Sequence, residues 1–267
     1  MTKITLAALQ MRSKRADANN NCDKAELFIQ KAVKKNTQII VLPECFNGSH
    51  VGLCKSNDYA EELTGYTTSR MTKLSIEYNI SIAFGINERC NEEYFSSIVF
   101  VGSGEILGVY HKQNPAFSEK QYWKKSKNGP TIIPMSFGKI GIMICYDMMY
   151  PNVINDYYRK IDLLLISSSW PMIPFNNIKL QHNNILPRAI AMQLCVPLVY
   201  SNFIGDTLLP IPNAFDGFSN LRTQFQGNSM ICDNNGEILS SLGKKEGIAI
   251  STIDFSYMEM YRKVLQN

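Results

Sequence analysis

This sequence has no long apolar run, no block of like charge and no paired cysteine motif. Its densest apolar stretches are broken by Asp147 and Asp162, so no segment approaches the length of a membrane span. Like charges adjoin only in pairs such as Lys124-Lys125 and Lys244-Lys245, and the net charge is +4. That pattern indicates no nucleic-acid footprint and puts those lysines on solvated surfaces. The seven cysteines are scattered, with no Cys-x-x-Cys spacing, which argues against a disulfide framework and against a structural metal such as zinc. Histidine is scarce: His50, His111 and His182 are the whole supply, and none has independent support as the partner of a nucleophile. Lys3 is followed by the strand-like Ile4 rather than by an apolar core of signal-peptide length. The expected compartment is therefore a reducing cytoplasm, which would also protect a reactive thiol.

What is present is a series of apolar runs that stop at reactive side chains. Gly141-Ile142-Met143-Ile144 ends at Cys145, a polar turn follows, and Pro151 suits the first turn of a helix. A strand that stops at a nucleophile and turns into a helix lifts that side chain above a sheet edge. A plain buried cysteine closing a core strand is the competing reading, because cysteine is among the most buried residue types. Two further segments tip the balance. Ile39-Ile40-Val41-Leu42-Pro43 leads to Glu44, and Val109-Tyr110-His111 leads to Lys112. One acid, one amine and one thiol thus each lie at the end of a strand-like run, where sites gather in open α/β sheets.

The ordered Glu44, Lys112, Cys145 set resembles the nitrilase superfamily of carbon–nitrogen hydrolases. The resemblance covers nearly the whole chain. It includes Ile4 to Gln10, Leu42-Pro43-Glu44, Tyr110-His111-Lys112, Ile144-Cys145-Tyr146-Asp147, Arg188-Ala189 and Gly227-Asn228-Ser229. Phe117-Ser118-Glu119 with Tyr122-Trp123 looks like the segment carrying the family's second glutamate. Three places depart from the pattern: Asn152 after Pro151, Ile190-Ala191-Met192 after Arg188-Ala189, and Gln113-Asn114-Pro115 after Lys112. None of these touches the Glu44, Lys112, Cys145 set, so they bear on the substrate pocket.

The resemblance implies an α/β fold of two sheets packed face to face with helices outside, a four-layer αββα sandwich, and pairing of subunits into a homodimer or higher homo-oligomer. Periodicity alone gives less. Residues 1–267 read as one domain, with strands alternating with helices early and antiparallel signals later. Helices are expected at Asn21–Lys35, Thr67–Tyr78, Pro151–Arg159 and Asn177–Gln193, with Pro187 kinking or dividing the last. Residues 227–242 suggest a hairpin turning at Asn234-Asn235-Gly236. Asn202–Gln226 reads as a long connection with Pro210, Pro212, Phe215 and Phe218: a pocket lid, a reach across a subunit interface, or a surface excursion. Residues 255–267 look like a tail whose Met258, Tyr261 and Val264 would pack on a partner subunit.

Hydrolysis of an amide at neutral pH needs a strong nucleophile, a proton shuttle and a site for the oxyanion. On the resemblance, Cys145 attacks the carbonyl carbon, Glu44 moves protons, and Lys112 faces the oxyanion and favours the thiolate. The backbone N–H of Tyr146 is the natural second donor. Glu119 would orient Lys112 and substrate; the alternative is a surface charge in a lysine-rich loop. Trp170, after Ser167-Ser168-Ser169, suits a pocket wall or the core equally. Asp147 is expected to cap the helix after the turn, and Cys45 to point away from Glu44. No cofactor is required. The expected substrate is a small amide or N-carbamoyl compound, with hints split between the N-carbamoyl-amine hydrolase and ω-amidase branches. A nitrilase, or a silent interaction protein on the same fold, is the alternative.

Overall fold

In the computed structural model, the residues described are 3–48, 59–172, 181–213, 217–257, 260 and 264, with backbone alone at 117–118, 209–213 and 217–220. The chain runs β1 (Lys3–Gln10), α1 (Ala18–Val33), β2 (Ile39–Val41), α2 (Tyr66–Tyr78), β3 (Ser81–Cys90), β4 (Glu93–Gly102) and β5 (Glu105–His111). After a 3-10 turn at Phe117–Gln121 come β6 (Thr131–Met135) and β7 (Gly138–Ile144), then a 3-10 turn at Cys145–Met149. There follow α3 (Pro151–Asn155), β8 (Leu163–Ser167), α4 (His182–Leu194), β9 (Leu198–Ser201), β10 (Ile204–Asn213) and β11 (Gly217–Gln226). The last strands are β12 (Met230–Cys232), β13 (Ile238–Ser241) and β14 (Gly247–Asp254).

Two six-stranded sheets result, ordered β14-β1-β2-β3-β4-β5 and β13-β12-β9-β8-β7-β6. Each has a parallel trio at its centre, β1-β2-β3 in one and β7-β8-β9 in the other, flanked by antiparallel strands. Strand alternation explains the layers. Ile4, Leu6 and Ala8 of β1 face the core shared with the second sheet, while Ala7 and Leu9 face the opposite cluster with α1 and α2. Cys22, Ala25, Ile29 and Ala32 give α1 one buried stripe. On the far side, α4 buries Ile190, Ala191 and Leu194 in the shared core. The αββα arrangement agrees with the expectation.

Several boundaries differ. The first helix begins at Ala18 because the Asp17 carboxylate accepts from the Asn20 N–H at 3.0 Å and caps it. The helix after the Cys145–Met149 turn ends at Asn155, and Arg159 adopts φ +60°. Helix α4 runs unbroken through Pro187 from His182; residues 177–180 of the expected helix lie outside the described residues. The long connection is instead a two-stranded ribbon, with Ile204 opposite Gln226 and Asn213 opposite Gly217. Its prolines hid it: in an isolated ribbon both strands are edges, so a missing N–H need not cost a ladder bond. Phe215, Met258, Tyr261 and His50 lie outside the described residues. Phe255 of the expected tail is buried and packs on Phe137, ring centres 4.7 Å apart, whereas Val264 is exposed.

Candidate active site

Both central trios end at the same edge of the sandwich, and the reactive side chains come from both sheets. Glu44 follows β2, and Lys112 follows β5 in the first sheet; Cys145 follows β7 in the second. All three side chains are buried. The turn that carries Glu44 sits on Gly85 of β3, where a Cβ would lie 2.5 Å from the Cys45 nitrogen and from the Glu44 Cα. Only glycine permits that approach.

Lys112 is the hub. Its Nζ donates to Glu44 Oε1 at 2.8 Å and to Glu119 Oε2 at 2.7 Å. It also lies 5.7 Å from the centre of the Trp123 ring. Burial alone would lower the Lys112 pKa, but Glu119 and Glu44 hold it well above the usual range, so the amine is a fixed cation. Glu119 is therefore buried in the cluster rather than on a solvated loop, and it also accepts the Ala116 N–H at 2.5 Å.

Glu44 has two further supports that local sequence did not reveal. Ser96 Oγ of β4 donates to Oε1 at 3.0 Å, and Ser169 donates to Oε2 from its N–H at 3.0 Å and its hydroxyl at 2.7 Å. The Ser167-Ser168-Ser169 run at the end of a buried strand was the available signal. Ser167 Oγ donates across the sheet gap to the Leu42 carbonyl at 2.7 Å. Cys45 does not point away as extended chain would require. It has φ +51°, and its Sγ lies 3.7 Å from the Ser96 hydroxyl that serves Glu44.

Cys145 opens its 3-10 turn at φ +41°, a conformation that costs an L-residue roughly 1–3 kcal/mol. The β7–β8 ladder before it and the Tyr150 N–H bonded to the Asp147 carbonyl after it hold that turn. Burial, then the Glu44 carboxylate, push the thiol well above its usual range, and Lys112 offsets them only in part. One cation already serves two carboxylates, so ionising the thiol needs its proton to be taken by a base.

Asp147 does not cap α3, which has no side-chain cap. Its carboxylate instead accepts from Tyr110 Oη at 2.8 Å, the Asn114 N–H at 2.8 Å, Asn114 Nδ2 at 2.9 Å and the Gln113 N–H at 3.3 Å. Asp147, inside the Cys145–Met149 turn, thus clamps the chain on both sides of Lys112, a role that needs the tertiary fold to be seen. Tyr146 is half-buried and its ring centre lies 6.2 Å from that of Trp170. Trp170 is itself buried, beside His182 at 6.0 Å. His111 pairs with Glu88 at 2.8 Å, on the strand that leads to Lys112. No cluster of three or more His, Cys, Asp or Glu side chains suited to a metal occurs among the described residues. No helix among them is long and apolar enough to cross a membrane.

Known proteins resemble this chain in sequence and fold. Among curated sequences, a probable nitrilase of Schizosaccharomyces pombe is 27% identical over 98% of this chain and 92% of its own length. The N-carbamoylputrescine amidase of Solanum lycopersicum is 25% identical over 97% of this chain and 89% of its own length. A solved carbon–nitrogen hydrolase from Helicobacter pylori G27 superposes with a TM-score of 0.86 at 24% identity, covering 99% of this chain and 94% of that one, a likeness that speaks for the fold. The profile of the family described as carbon-nitrogen hydrolase matches residues 5–263. With the profile spanning nearly all of both sheets, the chain belongs to the carbon–nitrogen hydrolase family, the nitrilase superfamily of hydrolytic enzymes.

Proposed function

We propose that this protein cleaves an amide or N-carbamoyl carbon–nitrogen bond of a small molecule through a thioester on Cys145. The observation that carries the reading is the Lys112 ammonium bridging Glu44 and Glu119 at 2.8 and 2.7 Å beside a buried thiol on a left-handed turn. Cys145 Sγ attacks the carbonyl carbon as Glu44 takes the thiol proton. The oxyanion is met by Lys112 and by the backbone N–H of Tyr146. Glu44 then gives the proton to the departing nitrogen, the carbon–nitrogen bond breaks, and ammonia or an amine leaves. Water, losing a proton to Glu44, attacks the thioester; the acid is released and the proton returns to sulfur. Glu119 keeps Lys112 aimed, and Tyr146 and Trp170 form an aromatic wall. None of these steps calls on a metal or an organic cofactor.

The name of the tomato relative supports testing N-carbamoyl amines first. The name of the yeast relative favours one second reading, attack of the same thiol on a C≡N carbon. Ammonia release from N-carbamoyl amines, ω-amides, simple amides and nitriles, with Cys145→Ala alongside, tests both. Cys145-dependent release from an amide or carbamoyl compound supports the proposal. Release from nitriles alone promotes the second reading, and no Cys145-dependent release overturns both.

Self-association belongs to the same proposal. Met149 and Tyr158 are exposed along an apolar groove of about 400 Å³ between α3 and α4, a face suited to a second copy. Free thiols at Cys22, Cys45, Cys90, Cys145, Cys195 and Cys232 support a reducing compartment such as the cytoplasm.

A further inference from the structure

The reaction outlined above leaves one buried hydroxyl pair at the nucleophile unused. Ser168 lies one residue past β8, and the pairing of Ile144 with Ser167 brings it alongside Cys145. Its hydroxyl is one of the neighbours that draw the Cys145 thiol's pKa down against burial. On its other side the same hydroxyl accepts from Tyr200 Oη at 3.1 Å. Ser168 and Tyr200 are both fully buried. Burial, then the nearness of Cys145, keep the phenol far above its usual pKa, so Tyr200 stays a donor. With its oxygen taken by Tyr200, Ser168 has its own proton to direct at sulfur.

We propose that Tyr200 and Ser168 form a relay of two hydroxyls that stabilises the Cys145 thiolate as it forms. In this relay Ser168 donates to the sulfur as its charge develops, and Tyr200 is a positioning residue acting through it. The proposal rests on reading Cys145 as the nucleophile. Its physical need is plain from the groups facing that sulfur, which are Glu44, Glu119 and the single cation Lys112. A second cation would require its own counter-ion in a buried site, whereas a hydroxyl donor adds no charge. Hydrogen bonds to an ion are about twice as strong as neutral ones, so the relay binds the charged sulfur better than the resting thiol.

Iodoacetamide alkylation of Cys145, read by mass spectrometry of its peptide across a range of pH, measures thiolate without any amide substrate. Tyr200→Phe and Ser168→Ala should each slow alkylation at neutral pH by roughly tenfold and displace the rate profile to higher pH. In turnover they should lower kcat more than they raise KM. Where Ser168→Ala fails to fold, Tyr200→Phe, which removes only an oxygen, decides alone. An unchanged alkylation rate in Tyr200→Phe overturns the relay whatever the substrate panel shows. Slowed alkylation in an enzyme that hydrolyses nothing on the panel upholds the relay and overturns the hydrolytic reading instead.

Discussion

Lys112 shows how much one buried side chain can carry. It neutralises Glu44 and Glu119 at once, with no solvent to take its place. Lys112→Ala should lower turnover by roughly a hundredfold or more through loss of an oxyanion donor, measured as kcat on whichever amide proves to be a substrate. It should also destabilise the fold by about 3–5 kcal/mol, because two carboxylates are left facing each other in the interior; urea titration reads that cost. Asp147→Asn tests the clamp beside Lys112. An amide replaces one acceptor oxygen with a donor that would face N–H groups, so a loss of about 1–3 kcal/mol is expected by the same titration. The meeting of Glu44, Lys112 and Cys145 was foreshadowed in the sequence because each stands at the end of an apolar run. Ser96, Ser168 and Ser169 were not, because a serine acquires its role only when the other sheet arrives. Asp147 was misread for the same reason: local spacing suggested a helix cap, and a long-range clamp won.

At the scale of elements, the turn after β2 depends on what β3 lacks. Gly85→Ala would drive a methyl group into the backbone of Glu44 and Cys45, which cannot rotate away as a side chain can. Activity and thermal midpoint should fall together, with an overpacking cost of about 1–3 kcal/mol. A variant that loses neither would mean that the Glu44 turn does not sit on β3 as described. The strand-like run from Ile4 and the helical spacing of α1 were readable in the sequence, so these elements matched expectation to within a few residues. The β10–β11 ribbon was hidden by its prolines. The unbroken course of α4 through Pro187 shows tertiary packing outweighing a lost helical hydrogen bond; Pro187 is among the residues this helix buries.

For the whole molecule, the open question in solution is how many copies assemble. The α3–α4 face predicts a dimer, and sedimentation of a variant carrying Met149→Glu and Tyr158→Glu should show a shift toward monomer. The parent remaining monomeric at micromolar concentration would remove the case for that face. Sandwich architecture was legible through family resemblance alone, since periodicity shows that strands exist and not which of them share a sheet.

The division of Glu44 and Lys112 on one sheet from Cys145 on the other has a consequence for a chain still being made. Either half, formed without its counterpart, holds only an incomplete set: a base and a cation with nothing to activate, or a cysteine with an unassisted thiol. On the proposed mechanism, reactivity is switched on by the meeting of the two sheets, and a nascent or partly unravelled chain would leave the small molecules around it untouched. In urea, hydrolysis should vanish in step with the near-ultraviolet signal of packed aromatics, with no active species surviving once the halves have parted.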